Sequence, residues 1–127
     1  MTGPDQVMND TYMKHTLFAI TVVLAVCAGC SRKHDVPDVT KPQTIVLKKK
    51  PGQGGIHYLT ITGSGEIKGT AEISLIENGK PYRKEALSGP VRFEWKNDWY
   101  ADSAEVRYEP KSVSGGNLSL EYRFKDM

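Results

Sequence analysis

The sequence predicts an all-β protein, an antiparallel β-sandwich of the Ig-like kind with about seven short strands. Three observations carry that prediction. From Ile56 onward apolar and polar residues alternate with the two-residue period of strands. Glycine, proline and asparagine turn signals interrupt the alternation every 8–12 residues or so. After residue 30 no helical period of useful length appears, and no internal repeat is evident.

Thr44-Ile45-Val46-Leu47 is the first expected strand, followed by Lys48-Lys49-Lys50 and the breaker Pro51-Gly52-Gln53-Gly54-Gly55. The lysine run reads first as a strand end made unattractive for edge pairing. Contact with anionic headgroups is the second reading of the same run. His57 to Thr62 is rich in β-branched and aromatic residues, and Gly63-Ser64-Gly65 is expected to turn the chain. Glu66-Ile67-Lys68 resumes pairing, after which Ala71, Ile73 and Leu75 share one face. Asn78-Gly79 then gives the strongest short hairpin signal, since both central residues of a type I′ turn need positive φ. Tyr82 to Leu87 returns, and Pro81, lacking an amide donor, suggests that the strand starts at an edge or just after the turn. Beyond a turn at Ser88-Gly89-Pro90, Val91, Phe93 and Trp95 point inward. Ala104, Val106 and Tyr108 do the same in the following strand, which Glu109-Pro110 ends. After a loop at Ser114-Gly115-Gly116, Leu118, Leu120, Tyr122 and Phe124 supply the last inward face.

The N-terminal part has a different grammar. Met13-Lys14-His15 is a short basic start, Leu17 to Val26 is apolar except for Thr21, and Cys27-Ala28-Gly29-Cys30 closes the run. That is the pattern of an export signal, too short for the roughly 20 apolar residues that span a bilayer. From Met13 to Ser31 the chain resembles bacterial lipoprotein precursors, whose signal ends in a lipobox of an aliphatic residue, two small residues and a cysteine. Cys27 departs from the aliphatic residue usual at the first place, a mild change because a buried thiol behaves as a small hydrophobe. The resemblance implies signal cleavage between Gly29 and Cys30, lipidation of Cys30, and anchoring by acyl chains in the cell envelope. Ser31 after the cysteine, where aspartate is absent, implies the outer membrane facing the periplasm in a two-membrane organism. A redox reading of the C-x-x-C pair lacks the βαβ surroundings it needs, and Ser31 removes haem attachment. Residues 1–12 form an acidic extension ahead of the signal, and Met8 and Met13 both offer later starts.

The expected organisation is therefore 1–29 extension and signal, 30–43 lipidated cysteine and flexible tether, and 44–127 β-sandwich. Ser31 to Gln43 is polar and carries Pro37 and Pro42, too little apolar surface to offset ordering. Fully extended, it would hold the domain about 40 Å from the lipid. Only Lys14 among the 17 basic residues, and only Asp5 and Asp10 among the 15 acidic ones, precede Cys30, so the remainder carries a net +3. That balance points away from nucleic acid. No cysteine follows Cys30, which leaves packing to hold the domain.

Catalytic chemistry is scarce: His34 and His57 are the histidines after Cys30, no serine stands in G-x-S-x-G, and neither a cofactor nor a metal is indicated. Asn97, Asp98, Trp99, Tyr100 and Asp102 form the one suggestive patch. Aromatic rings beside carboxylates suit a protein partner or a sugar ring, whereas the bland alternative has Trp99 closing the core. The expected role is a non-catalytic protein-binding or assembly module of the envelope. Its alternatives are an inhibitor or immunity-type lipoprotein that blocks an enzyme, and a carbohydrate-binding module built on the 97–102 loop.

Overall fold

Five strands form one antiparallel sheet: β1 (Arg32–Asp35), β2 (Gln43–Lys48), β3 (Ile56–Glu77), β4 (Lys80–Asp98) and β5 (Ser103–Asp126). The structure is a computed structural model, and it describes residues 31–127. The sheet order is β1-β5-β3-β4, with β2 also pairing with β5. On that outer side of β5, β2 lies along Gln43↔Tyr108 to Lys48↔Ser103 and β1 along Arg32↔Tyr122 to Asp35↔Ser119.

The expected short strands are present as segments of three long ones. The reason is that the glycine and proline signals bend strands here instead of ending them. Gly63-Ser64-Gly65 lies inside β3, Ser88-Gly89-Pro90 inside β4, and Glu109-Pro110 and Ser114-Gly115-Gly116 inside β5. Register shifts fall between Ile67 and Thr70 in the β3–β4 ladder and on both sides of Gly69 and Thr70 in the β3–β5 ladder. Such bulges kink a sheet locally and raise its twist. At Gly69, φ is +129° and an added Cβ would lie 1.7 Å from the Ser112 carbonyl oxygen, so the crossing requires glycine. Gly63 faces Phe93 across the ladder, and the ring occupies the space a side chain would need.

The bend folds the sheet onto itself. Arg83 Nε donates to Asn97 Oδ1 at 3.0 Å although 14 residues of the same strand separate them; unbent, that distance would be about 46 Å. Trp95 Nε1 likewise reaches Glu85 Oε1 at 3.4 Å. The two halves of one sheet therefore face each other as the layers of a sandwich do. Between them lies a single apolar cluster that includes Leu59, Ile61, Ile73, Leu75, Val106, Tyr108 and Leu120, all essentially inaccessible to solvent. Each such aliphatic side chain contributes about 1.5–3 kcal/mol of burial. The inward residues expected from alternation, Val91, Phe93 and Trp95 against exposed Arg92 and Glu94, are those found. The hairpin at Asn78-Gly79 is also as expected, with φ of 53° and 77°.

The expected flexible tether is corrected. Residues 32–35 form β1, Val36 and Val39 are buried, and the Val36 amide donates to the Leu118 carbonyl at 2.9 Å. The fully buried Tyr108 gives its hydroxyl to the Val39 carbonyl at 2.7 Å. Asp38 fixes the intervening turn by accepting from the Thr40 amide and hydroxyl. Two valines with partners 82 and 69 residues away supply the contacts that average composition concealed. The first strand among the described residues thus begins at Arg32, ahead of the expected start at Thr44.

Candidate functional site

The strand ends remote from the bend are drawn together by side chains and backbone. Arg32, first residue of β1, donates Nη1 to the carbonyls of Lys48 and Lys49 at the end of β2. The Lys49 amide donates to the Asp102 carbonyl at 3.0 Å, and its ammonium pairs with the Asp102 carboxylate at 3.2 Å. Gln53 accepts from the Lys50 amide and donates to the Phe124 carbonyl, both at 2.8 Å. Gly54 donates its amide to the Asp126 carboxylate at 2.9 Å, which holds that carboxyl below its ordinary range. One end of the folded sheet therefore gathers the start of β1, the 48–55 loop, the 98–103 loop and the end of β5. The Asn78-Gly79 hairpin joins them, because Tyr82 lies with its ring 6.5 Å from that of Trp99.

This arrangement divides the expected 97–102 patch. Asn97 is buried, with Nδ2 toward the Leu59 carbonyl at 3.5 Å and Oδ1 taken by Arg83. Trp99 is 5% exposed, its indole Nε1 donating to the Ser103 carbonyl at 3.0 Å and its amide to the His57 carbonyl at 3.2 Å. Both residues thus close the end of the core. Asp98, Tyr100 and Asp102 remain at the surface, and Tyr100 is 76% exposed. A sugar ring would lack the Trp99 platform, since burial of the indole removes the face on which it would stack. Cys27, Gly29 and Cys30 lie outside the described residues.

His57 Nδ1 is buried with no hydrogen-bond partner. Among the described residues no group of three His, Cys, Asp or Glu side chains is placed to hold a metal ion. No helix among them is long and apolar enough to cross a membrane.

The second feature is the outer edge of β4, which among the described residues pairs with β3 alone. β4 is 19 residues long, and about half of them turn their backbone groups to that edge, the others bonding to β3; the alternation of the sequence does not reveal which strand lies outermost. Pro81 and Pro90 lack amide donors, and Lys80, Arg83, Lys84 and Arg92 are exposed along its length, devices that discourage indiscriminate pairing. The bend at Gly89-Pro90 divides it into two shorter pairing surfaces.

No family of known proteins matches the sequence, and no curated protein is similar to it. Several solved structures share β-rich architecture with it at low identity. PirA is 8% identical over 76% of this chain and 94% of its own, with a TM-score of 0.46. The Yersinia pseudotuberculosis-derived mitogen is 12% identical over 76% and 86%, with a TM-score of 0.45. The carbohydrate-binding module CBM36, solved with calcium and xylotriose, is 14% identical over 75% and 87%, with a TM-score of 0.37. These likenesses assign no ligand or activity to this chain.

Proposed function

We propose that the protein is a lipid-anchored lipoprotein of the bacterial cell envelope whose β-domain is a non-catalytic module that docks another envelope protein. The unpaired outer edge of β4 carries the docking half of this reading. An edge of this kind takes an extended segment of a partner as an added strand: main-chain hydrogen bonds supply affinity and the flanking side chains supply selectivity. The exposed Arg92 favours a partner segment with an acidic side chain, while Lys84 lies 3.9 Å from the Glu72 carboxylate. The Cys27-Ala28-Gly29-Cys30 motif carries the anchoring half. Two or three acyl chains hold stably, at about 0.8 kcal/mol per buried CH₂, where a single chain is marginal.

A photoreactive amino acid placed at Lys84 or Arg92 tests the docking in intact envelopes, with Lys111 on β5 as the comparison site. Discrete protein adducts are expected from the two β4 positions and not from Lys111. Absence of adducts, or the same products from all three sites, would refute edge docking. For the anchor, mass spectrometry of the membrane fraction is expected to show a chain that begins at acylated Cys30, and Cys30→Ala should lose both lipid and cleavage. A soluble, unacylated wild-type protein would end that half of the proposal.

A further inference from the structure

We infer that the end of the folded sheet opposite the glycine bend is a bilayer-docking surface for anionic phospholipid. The inference rests on the lipidation of Cys30 proposed above. Only Ser31 stands between Cys30 and β1 in the sequence, and two Cα steps reach no further than about 7 Å. With residues 32–43 folded into the domain, no tether of 40 Å lifts it away from the lipid. The acyl chains instead enter the bilayer beside Arg32, and Arg32 is bonded to the carbonyls of Lys48 and Lys49. The end of the domain that carries those residues is therefore held against the headgroups.

The side chains at that end suit such a surface. Tyr82 and Tyr100 are exposed there, 50% and 76%, beside the buried Trp99. Amphipathic rings of this kind settle at the level of lipid headgroups. Lys48, Lys80, Arg123 and Lys125 are exposed around them. Of the nearby carboxylates, Asp102 is paired with Lys49, whereas Glu77, Asp98 and Asp126, the last kept ionised by the Gly54 amide, offset them; with Arg32 counted, the exposed cations are five against these three. The surplus is basic and complements phosphatidylglycerol or another anionic headgroup. Docked in this way, the domain stands with its bend away from the bilayer and the β4 edge turned sideways, open to a partner.

The test uses the full chain matured in the envelope and reconstituted in vesicles of phosphatidylcholine with or without phosphatidylglycerol. Because Cys30 carries the lipid, Tyr100→Cys and Ser88→Cys each supply one labelling site for an environment-sensitive fluorophore, at the docking end and at the bend. A blue shift and quenching by headgroup-attached nitroxide are expected at position 100 and not at 88, more strongly with phosphatidylglycerol. Lys48→Ser, Lys80→Ser and Lys125→Ser should each lower the docked-to-undocked ratio about fivefold, equivalent to about 1 kcal/mol per basic residue at an anionic surface. Equal responses at 100 and 88 in acylated protein, or lysine variants that dock as the parent does, overturn the inference alone. An intact mass without acyl groups, accompanied by labelling of Cys30, overturns the anchoring as well.

Discussion

Replacing Gly69 with alanine tests the bend on which the whole architecture depends. The new Cβ would lie 1.7 Å from the Ser112 carbonyl oxygen, where ordinary contact begins at 3.4 Å, so β3 and β5 must separate locally. Two costs add. An L-residue forced to a φ of +129° loses about 1–2 kcal/mol. Parting the ladder near Gly69↔Val113 and Thr70↔Ser112 forfeits roughly two hydrogen bonds at about 1 kcal/mol each. The total of about 3–4 kcal/mol is a large share of the 5–15 kcal/mol typical of a domain, and corresponds to a Tm lower by roughly 15–25 °C. Gly52→Ala is the matched control, because Gly52 also has a positive φ, of +87°, yet nothing lies within 4 Å of its added Cβ. Urea and thermal unfolding followed by circular dichroism measure both variants. If Gly69→Ala is no more than about 1 kcal/mol worse than Gly52→Ala, the close crossing of β3 and β5 is not what bends the sheet.

Two further outcomes are expected. Trp99→Ala should destabilise the fold by about 3–5 kcal/mol, as loss of a buried indole does, while Tyr100→Ala should stay within about 0.5 kcal/mol; unchanged melting of Trp99→Ala would return Trp99 to the list of ligand contacts. Acid should weaken the fold through Asp38 and Asp126, whose carboxyls are held below 3.8 chiefly by the Thr40 hydroxyl and the Gly54 amide respectively. A depressed folded value means stability fully present above 3.8 and lost as the pH falls through the lower folded value. Melting curves across that range should therefore slope less in Asp38→Asn and Asp126→Asn than in the parent, and identical slopes would exclude these two groups as the source.

Much of the local order was legible because strand formation and turn chemistry are short-range. The inward faces at Val91, Phe93 and Trp95 and at Leu118, Leu120 and Tyr122 follow from alternation, and the Asn78-Gly79 turn follows from the need for positive φ. Of the candidate patch, the sequence located the loop, yet it held no sign that Asn97 is taken by Arg83 or that the Trp99 ring is enclosed. Those fates depend on a strand that doubles back, and a glycine that ends a strand looks in sequence like one that bends it. The same limit left the outermost place of β4 undecided, since Pro81 suits an edge strand and the first residue after a turn alike.

By itself the sequence determined an all-β domain, its main hairpin and its inward-facing residues, together with the lipoprotein-like resemblance at Cys30. Those features depend on neighbours a few positions apart. Only the tertiary structure decided that strands continue through Gly69 and Gly89, that 32–39 joins the fold through Val36 and Val39, and that the lysine run and the 97–102 loop meet at one end. Each of these rests on contacts between residues distant in the chain, such as Arg32 with Lys48 and Tyr108 with Val39, whose energy no local pattern encodes.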